Sequence, residues 1–227
     1  MKEGTILFDF DDTLVDFKAA ETYAFYKLVD CYNFDASPQD FNFFTKVNQQ
    51  HWQDFQKGEL SKDEVLSQRF ERFFESYNIN VDGQQADYIF RDELANAPLT
   101  YFDNMLNTLK ELSSKFNLYI VTNGVLETQE RRIAKFAVKD LFDGVFVSEQ
   151  TGYQKPMPEF FDYVFDKIGE CRRSNTMIVG DSLSSDILGG INANIKTCWF
   201  NPRHQINDTN IEANVTINHF EELLVTI

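Results

Sequence analysis

A chain of 227 residues, 43% of them hydrophobic and 23 of them Phe, can fill the core of one large domain or two unequal ones, which excludes wholesale disorder. Its net charge of −15 repels polyanions at long range, so neither nucleic acid nor a membrane surface is an expected partner. No apolar run reaches membrane-spanning length, no leader-like segment opens the chain, and Cys31, Cys171 and Cys198 are widely spaced without a CxxC pair, so a reducing, cytoplasmic location is expected.

In chain order, residues 4–9, GTILFD, read as a buried strand that runs straight into acidic residues. The texture then turns helical. Phe17, Ala20, Ala24, Leu28 and Cys31 recur at spacings of three and four, the mark of one apolar helix face. Pro38 opens a second helix carrying Phe41, Phe44, Val47, Trp52 and Phe55, and Gly58 closes it. Ser61 and Glu64 form a capping-box pattern ahead of Leu66, Phe70, Phe73 and Tyr77, and a fourth helix is expected over 84–95. After Pro98 helices and strands alternate. Helices over 103–115, 126–137, 158–168 and 184–191 separate strands at 118–121, 144–147, 177–179 and 197–200. Such alternation predicts an α/β fold, a Rossmann-like parallel sheet covered on both faces. The expected organisation is a core of residues 1–16 and 97–227, interrupted after its first strand by an all-helical insert of residues 17–96.

The stretch ILFDFDDTL packs three carboxylates into four positions beside an apolar run, which is costly unless something pairs with them. Ligands of open parallel sheets bind at the carboxyl ends of the strands. Those exits carry Asp9-Phe10-Asp11, Thr122-Asn123-Gly124 and Gly180-Asp181-Ser182 with Asp186 following, while Lys155 lies on the loop after the strand at 144–147. Carboxylates, a hydroxyl, backbone amides and one amine are the inventory of magnesium-assisted phosphoryl transfer. A hard cation such as Mg2+ takes oxygen ligands, here Asp9 and Asp181. A carboxylate can attack phosphorus and divide hydrolysis into two steps, and Asp11 is placed to protonate the leaving alcohol and later deprotonate water. Thr122 and the amides after it, Asn123 first, suit phosphate oxygens, and Lys155 neutralises their charge. Taken singly, Thr122 reads as a strand-end cap and Lys155 as a surface amine; the constellation carries the functional reading. Asp12 is expected to pair locally or face solvent, His51 and Trp52 to pack, and Gly189-Gly190 to permit close helix packing or a turn.

These stretches, DFDDTL, IVTNG, the lysine of KP and GDSLSSD, resemble in order and spacing the four motifs of the haloacid dehalogenase superfamily of phosphatases, and the helical insert resembles its C1 cap. The resemblance implies Asp9 as nucleophile and Asp11 as acid/base. It implies Thr122, Asn123 and Lys155 as phosphate-binding residues, a metal held by Asp9, Asp11 and Asp181, and Asp186 as a ligand or a support to one. VGDSLSSDILGGINANIKTCWFNP and VNQQHWQDFQKGEL are further similar to the noncanonical pyrimidine 5′-nucleotidases, which implies an enzyme hydrolysing nucleoside monophosphates through an aspartyl-phosphate. Asn194 departs from that pattern, where related chains read Gly, and Asn tolerates the same left-handed turn. Alternatives are a phosphatase of another small ester, such as a sugar phosphate or phosphoglycolate, a phosphomutase, and, outside enzymes, a phosphate-sensing module. A dehalogenase is disfavoured because a halide leaving group needs no acid at Asp11, and a sensing module because both Asp9 and Asp11 are retained.

Overall fold

The computed structural model describes residues 2–226. Its elements in chain order are β1 (Gly4–Phe8), α1 (Phe17–Cys31), α2 (Pro38–Gln56), α3 (Lys62–Glu75), α4 (Gly83–Asn96), α5 (Met105–Lys115), β2 (Phe116–Thr122), α6 (Leu126–Ala134), β3 (Gly144–Val147), α7 (Ser148–Thr151), α8 (Pro158–Ile168), β4 (Thr176–Gly180), α9 (Leu188–Asn192), β5 (Lys196–Phe200), β6 (Val215–Ile217) and α10 (Leu223–Thr226). The chain divides into two compact units, Met1–Phe17 with Leu99–Ile227, and Lys18–Pro98.

The first unit is built on a parallel sheet of order β3-β2-β1-β4-β5-β6. The strands alternate their side chains between two apolar layers, as the two-residue period of a strand requires. Ile6, Phe8, Leu118, Ile120 and Val179 join the cluster that contains Met105, Leu109, Leu112 and Phe136. Leu7, Tyr119, Val121 and Ile178 join the cluster made with Phe160, Phe161, Val164 and Phe165 of α8. Because the chain runs from β1 outward to β3 and then returns to β1's other side as β4, the strand order reverses at β1. Crevices for ligands open at such a reversal, outside the carboxyl ends of the strands.

The second unit is a four-helix assembly with a Phe core. Phe25, Phe44, Phe70, Phe73 and Phe90 are all buried, and Phe44 lies 5.1 Å from Phe25, 5.6 Å from Phe70 and 5.5 Å from Phe90 between ring centroids. The Ser61–Glu64 capping box is present in full, each side chain meeting the other residue's N–H. Ser37 and Asp40 form a second one ahead of Pro38. Buried among the rings is a polar chain. Arg69 donates to Asp87 (2.5 Å) and to Asn48 (2.7 Å), Asn48 donates to Glu21 (2.6 Å), and Arg91 donates to Asp87 (2.5 Å).

Several boundaries differ from the sequence reading. Cys31 is exposed, because the buried stripe of α1 follows Ala24, Phe25, Leu28 and Val29. Trp52 and Leu66 are half-buried at the edge of their helices. The segment expected as a helix over 184–191 is a π-turn at Leu183–Ile187 that passes into α9. β6, three residues long, was not foreseen. Gly189 and Gly190 do serve packing: a Cβ on the first would fall 2.8 Å from Phe161 and on the second 2.5 Å from Thr197. His51 is buried and bonded to the carbonyl of Val47, and Asn194 has φ +56°. Among the described residues, no helix is long and apolar enough to cross a membrane.

Candidate active site

β2, β1 and β4 are neighbours in the sheet, so their ends bring Thr122, Asp9 and Asp181 together. Asp9 is held at the strand end by its own N–H, which donates to the carbonyl of Val179 (3.0 Å). Asp186, four residues beyond Ser182, folds back over β4. Its Oδ2 accepts from the N–H of Ser182 (3.1 Å), and a Cβ on Gly180 would collide with its carboxylate, so only glycine lets the loop close this tightly.

Lys155 ties these exits together. Its Nζ donates to Asp9 Oδ1 (2.6 Å), Asp186 Oδ1 (2.6 Å) and the carbonyl of Val121 (2.9 Å), which engages all three ammonium protons. The residue is 1% exposed. Asn123 positions its main chain from both sides: Oδ1 accepts from the Lys155 N–H (2.9 Å) and Nδ2 donates to its carbonyl (2.8 Å). The Asn123 side chain therefore serves the lysine loop, and its backbone amide remains the group suited to a phosphate oxygen. Thr122 Oγ1 accepts from the N–H of Gly124 (3.2 Å).

The electrostatics are those of crowded acids. Burial pushes the Asp9 carboxyl up to about 8, against the pull of Lys155 and with the help of Asp186 and Asp11. Burial raises Asp181 well above the usual carboxylate range, reinforced by Asp12, Asp186 and Asp9. Burial alone would lower Lys155, but Asp186 and Asp9 more than offset it and hold its value up. Carboxylate oxygens of Asp9, Asp181 and Asp186 lie within 4.8 Å of one another, and Lys155 is one cation among three acids. An all-oxygen donor set with surplus negative charge fits a hard divalent cation.

The group differs from the expected one in a single respect. The carboxylate of Asp11 lies outside the cluster; Asp186, which the sequence left open between ligand and support, lies within it. Asp11 is instead engaged from α6: Arg132 Nη1 donates to its Oδ1, and Gln129 Nε2 donates to its Oδ2 (2.8 Å). Asp12 is paired by one nearby and one distant group. Its Oδ1 accepts from Arg203 (2.9 Å) and from the N–H of Phe17 (3.1 Å), and Arg203 also donates to Asp16 (2.8 Å). Burial raises the Asp12 carboxyl, with Arg203 opposing it. Gln129, Arg132 and Arg203 belong to no motif, so sequence reasoning missed them; an i, i+3 polar pair on an otherwise amphipathic helix was the one available sign.

Residues 6–200 match the family model described as haloacid dehalogenase-like hydrolase, a span that contains each of these strand exits. The chain belongs to this hydrolase family. It is 38% identical to the HAD-hydrolase YfnB of Bacillus subtilis (strain 168) over 96% of this chain and 93% of that one. A crystal structure of YfnB bound to magnesium, which reveals interdomain movement in that protein, superposes with a TM-score of 0.93 at 37% identity over the whole of both chains. Pyrimidine 5′-nucleotidase PynA of Streptococcus pneumoniae (strain ATCC BAA-255 / R6) is 32% identical over 96% of this chain and 92% of its own. Pyrimidine 5′-nucleotidase YjjG of Escherichia coli (strain K12) is 32% identical over 98% and 97%. This haloacid dehalogenase-like hydrolase thus keeps its likeness to these relatives through the helical unit as well as the sheet unit.

Proposed function

We propose that this hydrolase is a magnesium-dependent phosphomonoesterase that acts through an aspartyl-phosphate on Asp9, with pyrimidine nucleoside 5′-monophosphates as substrates. The observation that carries the reading is the pairing of Asp9 with a buried, fully engaged Lys155 while a second acid, Asp11, is held separately two residues on. Asp9 is the nucleophile: its carboxylate oxygen bonds to phosphorus as the bond to the ester oxygen breaks. Lys155 and the hydroxyl of Thr122 stabilise the charge on the transferred group, and the amide of Asn123 suits a remaining oxygen. Asp11 gives its proton to the departing alkoxide oxygen. It then takes a proton from the water that attacks the phosphorus of the aspartyl-phosphate, releasing inorganic phosphate and restoring Asp9. Asp9, Asp181 and Asp186 would hold Mg2+, which neutralises phosphate charge when bound. Such an ion would also relieve the crowding that raises Asp9 and Asp181.

The nucleotide preference rests on the two nucleotidase relatives, and residues 17–96, the cap of the family pattern, are assigned the nucleoside selectivity. The test is hydrolysis by the purified protein with Mg2+ of nucleoside 5′-monophosphates and sugar phosphates, compared as kcat/KM. If the nucleotides are no better than the sugar phosphates, the nucleotidase reading fails and the phosphatase reading stands.

A further inference from the structure

Gln129 and Arg132 are three residues apart on α6, hence on one face, and each is 1% exposed. Gln129 Nε2 has two hydrogens. One goes to Asp11 Oδ2 (2.8 Å) and the other to Thr122 Oγ1 (2.9 Å). Gln129 Oε1 accepts from Arg132 Nη1 (3.0 Å), whose second hydrogen goes to Asp11 Oδ1. Asp11, Gln129 and Arg132 therefore close a ring in which both carboxylate oxygens, both amide atoms and the guanidinium Nη1 each have a complement. The ring also sets the amide's orientation. Turned over, Oε1 would face the carboxylate and Nε2 the guanidinium, two repulsive contacts in place of two attractive ones.

Three further observations point to Asp11 and Thr122 as what the ring serves. Arg132 Nε and Nη2 are buried without a hydrogen-bond partner, and the guanidinium lies 5.2 Å from the ring centroid of Phe10 and 5.4 Å from that of Phe17. Burying unpaired donors is unfavourable, so an arginine kept for structure alone would use them. A Cβ on Gly124 would fall 2.5 Å from Gln129 Nε2, so the glycine of the Thr-Asn-Gly turn is what lets Gln129 cross to Asp11. Thr122 Oγ1 accepts from both Gln129 and the Gly124 N–H, which fills its two lone pairs and leaves its proton as the group to give a ligand oxygen.

We propose that Gln129 and Arg132 are positioning residues for the reaction: they fix the carboxylate of Asp11 and the donor direction of Thr122 as one rigid unit. The assignment of what they position rests on the phosphatase reading above. The test is kinetics of Arg132→Met, Arg132→Lys and Gln129→Met with Mg2+, on an alkyl phosphate and on 4-nitrophenyl phosphate, together with crystal structures of the variants. Arg132→Met should lower kcat on the alkyl ester about 10²-fold, the cost of a misplaced acid, and lower it on the nitrophenyl ester by about tenfold at most, with KM nearly unchanged. Arg132→Lys keeps the charge but cannot close the ring, and should fall between Arg132→Met and the wild type; it also carries the test if the methionine variant fails to fold. Gln129→Met should impair both esters and raise KM, because Thr122 loses its orienting donor. In the crystal structures the Asp11 carboxylate should leave its place. Equal losses on the two esters in Arg132→Met, or an unmoved Asp11, would overturn the proposal. If the wild-type protein hydrolyses no phosphomonoester, the phosphatase reading fails separately, and the position of Asp11 in the variants still decides whether the ring holds it.

Discussion

Replacing Lys155 by Met removes one buried positive charge and leaves three acids facing each other. The two ion pairs at 2.6 Å are each worth roughly 6 kcal/mol of gross attraction at an effective dielectric of about 20. Desolvation of the three groups offsets much of that, and breaking a buried pair from one side costs about 3–5 kcal/mol net. In a chain of this size that is a fall in Tm of roughly 6–20 °C at pH 8. The sign of the pH dependence follows from Asp9. Its folded value, about 8, is above its unfolded one, so its contribution to stability is largest at low pH and is lost as pH rises through 8. Removing Lys155 raises Asp9 further, since the lysine is the largest influence lowering it. The deficit of Lys155→Met should therefore be smallest at pH 5.5, where Asp9 is protonated in both proteins, and grow at pH 8, where the wild-type carboxyl ionises against Lys155 and gains a pairing that the variant lacks. Mg2+ should shrink it at pH 8 as well. Differential scanning calorimetry at both pH values, with and without Mg2+, reads all three effects. A deficit that is the same at pH 5.5 and pH 8 and does not respond to Mg2+ would refute the charge-crowding account.

Chelation with EDTA should abolish phosphatase turnover and added Mg2+ should restore it; full turnover in thoroughly chelated enzyme would contradict the three-carboxylate metal site. Asp9→Asn should eliminate acid-stable labelling of the protein by radioactive phosphate from a labelled ester, whereas Asp11→Asn should retain or increase it by slowing hydrolysis of the intermediate. Labelling of Asp9→Asn at the wild-type level would place the nucleophile elsewhere. In the helical unit, Phe44→Ala empties a fully buried site among Phe25, Phe70, Phe73 and Phe90 and should cost about 3–5 kcal/mol by urea denaturation; a loss below about 1 kcal/mol would mean that the ring cluster is not its core.

What the chain revealed in advance was whatever has a local cause. Buried parallel strands are continuous apolar runs, and each ends where polar residues begin, so GTILF, LYIV and MIV located β1, β2 and β4 and the groups at their exits. The Ser61–Glu64 box was legible because it is contained in four residues. The equivalent Ser37–Asp40 box was not, since its N3 residue is Asp and Pro38 already marks the helix start. Gln129, Arg132 and Arg203 reach Asp11 and Asp12 from positions more than a hundred residues away, and no spacing within α6 or the 201–206 loop encodes that meeting. The same holds for Arg69 and Asp87, charged residues of two different helices that meet as a buried pair. β6 is too short for any period to register.

Placing β1 at the centre of the sheet has a consequence for how the chain is made. Its partners are distant: Gly4 lies beside Phe116, and Thr5 beside Thr176. During synthesis this apolar strand emerges before both of its partners and must wait, unpaired, for them to follow. The helical unit, whose contacts are local, can fold during that wait. Its entry and exit segments run side by side, with the N–H of Asp16 donating to the carbonyl of Thr100 (2.8 Å). Once Lys18–Pro98 has folded, the loop that must close to pair β1 with β2 is shorter by about fourfold, which lowers the entropic barrier by about 1 kcal/mol. The insertion that separates β1 from its neighbours in sequence thus works, when folded first, as the staple that brings them back within reach.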